Sequence, residues 1–270
     1  MADGAAPLDW REALAGVELV VHCAARVHVM QEQSSDPLAE FRRANVDATV
    51  ALARATHAAG ARRFILLSTV GVHGASSGAR PFRAGEAPAP HSAYAQSKLE
   101  AEAALQVCSQ HSGLEFVCIR PPLVYGPAAP GNFGRLLGIV RRRLPLPLGA
   151  VHNLRSMVAV DNLASLILRC ADHPAAAGRT FLVSDGEDIS TTALLRRLAQ
   201  ASGHRASLIP LPATWLRTAL RLTGHKAMAE QLIGTLQVDI TETRQTLDWT
   251  PPLTVTQALV AAAAPETALG

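Results

Sequence analysis

The feature that most constrains this chain is a recurring short apolar run. Residues 17–23, 64–68 and 115–119 are rich in valine, isoleucine and leucine, with little polar alternation. Runs of that kind suit parallel strands covered on both faces. The stretches between them read as helical. Asp36-Pro37 is an N-cap followed by a first-turn proline, opening a helix that runs to Gly60. Ser92 reads as the cap of a second helix, which carries Tyr94 and Lys98. Strand, helix, strand, helix, strand with connections of this length implies right-handed crossovers and one parallel sheet, an α/β fold. Chemistry in such sheets collects at the carboxyl ends of the strands. His22, Thr69 and Arg120 all fall there.

The flanks are less regular. Asp9 is expected to cap a short helix over residues 10–15 that stops at Gly16. In the second half, residues 132–143 read as helix and 156–160 as a short strand. Asp161 is the expected cap of the next helix. Residues 180–183 read as strand, and Ser190 caps a helix reaching about Ala201. The remainder is mainly helical, punctuated by Pro210, Pro212, Pro251 and Pro252. This tail, including Trp215-Leu216-Arg217, is expected to pack against the sheet rather than on a membrane.

Bulk properties exclude several classes. A hydrophobic fraction of 49% with 17% charged residues suits a chain that buries a core. A net charge of +3 argues against a dedicated nucleic-acid surface, although Arg141, Arg142 and Arg143 cluster. Those three sit near a helix end, where the dipole favours solvated cations. Cys23, Cys108, Cys118 and Cys170 show no metal-ligand spacing, so the expectation is buried, reduced thiols and no metal. With no charged-then-apolar leader and no apolar span long enough to cross a bilayer, the expected setting is the cytoplasm.

The chemistry concentrates in Tyr94-Ala95-Gln96-Ser97-Lys98. Residues four apart on a helix lie on one face, so an ammonium stands near a phenol. A nearby positive charge favours the phenolate and draws its pKa down. Only two tyrosines and two lysines occur in the whole chain, which makes the pairing informative. A hydroxyl from Thr69, at the end of the second apolar run, could hold the oxygen whose proton the tyrosine takes.

With these pieces placed, the chain resembles an extended short-chain dehydrogenase/reductase of the nucleotide-sugar epimerase/dehydratase family. Val21-His22-Cys23-Ala24-Ala25 is similar to that family's strand-end H-x-A-A, and Asn45-Val46-Asp47-Ala48-Thr49 to its N-V-x-x-T helix. Ser68-Thr69-Val70-Gly71-Val72-His73-Gly74 resembles its active-site hydroxyl segment, and Tyr94 with Lys98 its Y-x-x-x-K. Arg120-Pro121-Pro122-Leu123-Val124-Tyr125-Gly126-Pro127 and Arg155-Ser156-Met157-Val158-Ala159-Val160-Asp161-Asn162-Leu163 complete the set. Within the family, Gly131-Asn132-Phe133, Leu144-Pro145-Leu146-Pro147-Leu148-Gly149 and Gln237-Val238-Asp239-Ile240 resemble a subgroup of bacterial UDP-sugar 4-epimerases and 4-keto-sugar reductases.

The resemblance implies roles. Tyr94 is the acid/base, Lys98 lowers its pKa and contacts the nicotinamide ribose, and Thr69 hydrogen-bonds the reacting oxygen. Ser68 is the structural neighbour of Thr69, the reversed pair being the alternative. The cofactor is NAD, with NADP left open, and His22, Ala24, Ala25, Asn45, Ser68, Pro121 and Leu123 line it. Asn45 holds water or backbone near the lysine or makes a purely structural bond; Tyr125 is structural. Asn132 and Arg155 contact the diphosphate of a nucleoside-diphosphate sugar. Nucleic acid and membrane are not expected partners; a homodimer is. The implied activity is 4-epimerisation of a UDP-sugar through a 4-keto intermediate, with one-way reduction or an inactive fragment as alternatives.

One part of the family pattern is absent. A glycine-rich turn G-x-x-G-x-x-G should open such an enzyme and hold the pyrophosphate at a helix N-terminus. Gly131, Gly134 and Gly138 have the wrong last spacing and read as turn or helix packing. Residues 17–23 match the family's fourth strand, so the expected fold is an incomplete Rossmann-like sheet lacking its first strands. Residues 1–150 would form a truncated dinucleotide-binding part and 151–270 a smaller, mainly helical substrate part, with about 151–185 returning to the sheet. A late-called start or a truncated gene is the expected cause. The first apolar run should then be an open edge, leaving the chain poorly stable alone and weak in binding dinucleotide.

Overall fold

A computed structural model describes residues 9–27, 36–129, 131–224 and 226–264. The N-terminal stretch bearing on the absence of a leader lies, for residues 1–8, outside these. Strand β1 (Leu19–His22) is followed by helix α1 (Pro37–Arg42), a π-helical turn (Arg43–Asp47) and α2 (Ala48–Ala58). Then come β2 (Arg63–Leu67), α3 (Ala93–Ser112), β3 (Glu115–Arg120) and β4 (Leu123–Tyr125). The second half runs α4 (Gly131–Arg141), β5 (Met157–Ala159), α5 (Val160–Asp172), β6 (Arg179–Leu182), α6 (Thr191–Ala201), α7 (Ala213–Leu222), α8 (Lys226–Ile233), α9 (Thr241–Leu247) and α10 (Val255–Ala263).

The main sheet is fully parallel in the order β1-β2-β3-β6. β4 and β5 form a separate parallel pair. Continuous apolar runs are what this sheet requires, because side chains alternate between two covered faces. Phe64 and Leu66 of β2 face one way, with Phe116 and Cys118 of β3, onto Leu52 and Ala53 of α2 and Ala101 and Leu105 of α3. Ile65, Val117, Ile119 and Phe181 face the other way, onto Leu163 and Leu166 of α5 and onto Trp249. A third cluster lies off the sheet, where Phe133, Leu137 and Val140 of α4 meet α6, α10 and the β4–β5 pair. β1 is the edge strand among the described residues, and Leu19, Val20 and Val21 are only half-buried there.

Local chemistry explains most boundaries. Asp36 accepts from Ala39 N at 3.1 Å with Pro37 at the first helical position, and Ser92 accepts from Ala95 N at 3.2 Å. Gly113 closes α3 in the left-handed conformation. Four expectations are corrected. Residues 10–15 form hydrogen-bonded turns, because Asp9 spends its carboxylate on Arg11 and no regular helix follows. Asp161 sits inside the first turn of α5, whose cap position is Ala159. Cys23 is exposed, since it follows β1 on the open edge, and Cys108 is half-buried; all four thiols are free. Helix α7 does not rest on the main sheet. It buries no residue completely and leans Ala213, Leu216 and Leu220 on the third cluster.

One strut escaped the sequence reading. Arg63, 1% exposed at the start of β2, donates to the carbonyls of Cys170, Ala171 and His173 at the end of α5. Its other nitrogens hold the Glu115 carboxylate of β3. A guanidinium thus satisfies orphan helix carbonyls while locking two strands to the covering helix.

Candidate active site

The carboxyl ends of β1, β2 and β3 converge on the first two turns of α3. The Ser68 amide donates to the Ile119 carbonyl and that of Val70 to the Pro121 carbonyl, so the β2 end is pinned beside buried Pro121. Thr69, in extended conformation, caps a short 3-10 turn by accepting from Gly71 N at 3.1 Å. That bond uses a lone pair and leaves the hydroxyl proton to donate. The Ser68 hydroxyl is buried and meets no partner among the described residues. Gly71 lies tight under α3: a Cβ there would stand 3.1 Å from the His91 ring and 3.5 Å from Ala95.

Tyr94 is half-buried, and the Phe41 ring packs edge-on against it at 6.2 Å, with the Arg26 guanidinium 5.6 Å over Phe41. Burial pushes the Tyr94 phenol above its ordinary range. This is opposite to the direction expected from the Lys98 charge, and its cause is the cost of burying a phenolate. Lys98 is 1% exposed, and burial draws its pKa down to about 8, partly offset by Cys118, Glu102 and Cys23.

A hydrogen-bond chain fixes this corner. The His22 imidazole lies 3.1 Å from the Thr49 hydroxyl, which donates to the Asn45 carbonyl at 2.6 Å. The hydroxyl has one proton, so His22 must donate through Nε2. Burial lowers the His22 pKa to about 4, aided by Lys98, so the ring is neutral. Asn45, fully buried in the π-helical turn, donates to Ser97 Oγ and to the Arg26 carbonyl and accepts from the Arg26 amide. Ser97 in turn donates to the Tyr94 carbonyl. Asn45 therefore ties the loop after β1, with exposed Ala24 and half-buried Ala25, to the Tyr94–Lys98 turn. Both ends of its amide are taken by protein.

A second network backs the site. Arg120 at the end of β3 grips Glu102 of α3 through Nε and Nη2, and its Nη1 lies 2.9 Å from His73 Nε2. His73 stacks on Phe82 at 5.3 Å, and burial lowers its pKa to about 4. Tyr125 donates to Asp185 at 2.7 Å, and Asp185 also accepts from Ala159 N and Asn162. That carboxylate joins β4, β5 and α5, a structural role for Tyr125. Leu123 opens β4 and is 38% exposed.

The two expected diphosphate contacts lie elsewhere, both held by α8. Asn132 Nδ2 donates to Gln231 at 2.8 Å. Arg155 donates through Nη1 to Gly234 O at 3.1 Å and Glu230 O at 3.4 Å, and burial lowers its pKa. Gly134 serves packing: a Cβ there would collide with the Ala129 carbonyl. Phe41, Arg26 and Ser97 were missed by sequence reasoning. Only Ser97, lying between Tyr94 and Lys98, had a local signal.

Buried Lys98 and half-buried Tyr94 one turn apart on α3, the Ser68 and Thr69 hydroxyls after β2 and a neutral His22 at the end of β1 lie at the carboxyl ends of a parallel α/β sheet. The chain belongs to the NAD dependent epimerase/dehydratase family, whose profile matches residues 2–184. It is 41% identical over 252 residues to a UDP-glucose 4-epimerase of Vibrio cholerae, covering 93% of this chain and 77% of that protein. Its fold is similar to the UDP-glucuronic acid 4-epimerase of Bacillus cereus in complex with NAD (TM-score 0.76, 20% identity, 95% of this chain and 74% of that one). It is also similar to RMD of Pseudomonas aeruginosa complexed with NADPH (TM-score 0.73, 21% identity, 91% and 80%).

Proposed function

We propose that this chain is an NAD-dependent 4-epimerase of a UDP-sugar, acting through a 4-keto intermediate. The observation that carries the reading is the Thr69, Tyr94 and Lys98 constellation in a chain 41% identical to a UDP-glucose 4-epimerase. Bound NAD, with NADP as the alternative, supplies the acceptor and later the donor of the sugar's hydride. The buried cation of Lys98 and the unpartnered hydroxyl of Ser68 fit a ribose and its nicotinamide, with His22, Ala24, Ala25, Pro121 and Leu123 around them.

Tyr94 takes the proton of the sugar hydroxyl as the carbonyl forms and returns it when the carbonyl is reduced. Its phenol is raised by burial, so the phenolate needs a compensating charge, and Lys98 provides it. Thr69 donates to the same sugar oxygen. Asn45 and Ser97 are positioning residues that fix the turn carrying both groups. Asn132 and the remaining nitrogens of Arg155 grip the diphosphate. Residues 1–150 serve the dinucleotide and 151–270 the sugar, in a cytoplasmic homodimer.

Incubating the purified chain with NAD and UDP-glucose or UDP-N-acetylglucosamine, without reductant, should yield the C4 epimer. Tyr94→Phe should lower turnover at least about a hundredfold with folding intact; a fully active variant overturns the assignment. Product formed only with added NAD(P)H identifies the one-way reductase. The edge position of β1 favours a second reading, in which this chain alone binds dinucleotide weakly. Stoichiometric, tight NAD binding in calorimetry refutes it.

A further inference from the structure

The acidic residues of this chain are distributed unevenly. Residues 127–160 contain five arginines and no Asp or Glu, and residues 189–229 contain six Arg or Lys and again no acid. The fold lays these two segments side by side. Leu146 pairs with Leu208 and Ala150 with Pro212 in parallel bridges, and Ile209 N donates to Leu146 O at 2.8 Å. Helix α7 starts at the end of that pairing. The result is one lobe whose surface is basic, with Arg142, Arg143, Arg205 and Arg221 exposed. Glu230, at the end of the second segment, is itself spent on Arg221 at 3.5 Å.

The same lobe carries unburied apolar side chains. α7 turns Ala213, Leu216 and Leu220 inward. Trp215, Ala219 and Leu222, spaced four and three, form the opposite stripe; Trp215 is 70% and Leu222 83% exposed. Leu144 and Ile209, from the paired segments, are also about half exposed. A soluble face gains nothing from a bare tryptophan and leucine on a helix whose inner face is already seated.

We propose that this lobe docks on an anionic lipid bilayer, with Trp215 and Leu222 entering the interface and the exposed arginines of the same lobe meeting acidic headgroups. Exposed arginines and an exposed Trp/Leu stripe on one lobe are the composition of a surface that meets acidic lipid. Among the described residues no helix is long and apolar enough to cross a membrane, so the contact is peripheral. A second copy of the chain is the poorer occupant. A self-complementary contact through this face would set one acid-free lobe against another, like charge against like. Zwitterionic surfaces would satisfy the stripe but not the arginines.

Co-sedimentation of the full chain with phosphatidylglycerol/phosphatidylcholine vesicles tests this, with pure phosphatidylcholine vesicles as control. The expected result is binding to the anionic vesicles alone, weakened by salt, with a blue shift in tryptophan emission. Trp215→Ser/Leu222→Ser should weaken binding at least about tenfold and remove the shift, while sedimentation velocity shows the same folded species. Binding equal on both vesicle types, no binding, or an unaffected double variant overturns the proposal. So does a wild-type self-association that the double variant abolishes, which would make this face a self-contact.

Discussion

At the residue scale, burial works against the charged form of both half-buried Tyr94 and buried Lys98. Burial raises the Tyr94 phenol and lowers the Lys98 ammonium to about 8. Both shifts have one cause, the cost of a charge in a low-dielectric corner. In the proposed mechanism the lysine stays protonated to compensate a phenolate, so rising pH removes the compensation. Turnover should therefore decline as pH climbs through about 8. Lys98→Arg should carry that alkaline limb upward at reduced rate, because a guanidinium stays charged. A pH–kcat profile checks both, and an unchanged limb in the arginine variant would remove Lys98 from this role. Asn45 shows how residue and element meet: its amide is consumed by Arg26 and Ser97, and the helix relaxes into a π turn around it.

At the element scale, long polar side chains do what short loops do not. Arg63 closes the last turn of α5 and clamps β2 to β3, with its head out of water. Replacing it with methionine should leave the Cys170 and His173 carbonyls short of its donors, while the Ala171 carbonyl and Glu115 keep Arg62. A loss of roughly 3 kcal/mol is expected, read as a lower denaturant midpoint at unchanged slope; stability equal to wild type would mean that water replaces the guanidinium. Gly126 makes a related demand through absence, since a Cβ there would meet Val160 at 2.7 Å. The boundaries fixed by proline, serine and glycine were legible in sequence because caps act over three or four residues. The Arg63 strut spans more than a hundred positions and leaves no local pattern.

For the whole molecule, two buried neutral histidines make the fold acid-sensitive. His22 and His73 both have pKa values near 4, below the value near 6.5 of an unfolded chain. The unfolded state binds more protons between those values, so stability is full above about 6.5 and falls as pH drops toward 4. Each ring contributes on the order of 3 kcal/mol to that loss. Urea unfolding at pH 7 and pH 5 should show a clearly lower midpoint at pH 5, and His73→Gln should shrink the difference; equal midpoints would mean that both rings titrate normally in the fold.

By itself the sequence determined the parallel α/β sheet, the helix starts at Asp36, Ser92 and Ser190, and the placing of Thr69 just after β2 and of Tyr94 and Lys98 in the first turns of α3. These follow from apolar periodicity, capping and helical spacing, all of which act within a few residues. Tertiary structure decided what happens to the charges. It buried Lys98 and Tyr94 deeply enough to move both titrations, spent Asn45 on the Arg26 backbone and the Ser97 hydroxyl, and turned Arg155 and Asn132 toward α8. It also placed two acid-free segments side by side with Trp215 left bare. Desolvation and long-range pairing depend on which distant segments close over a group, and no local pattern of residues encodes that.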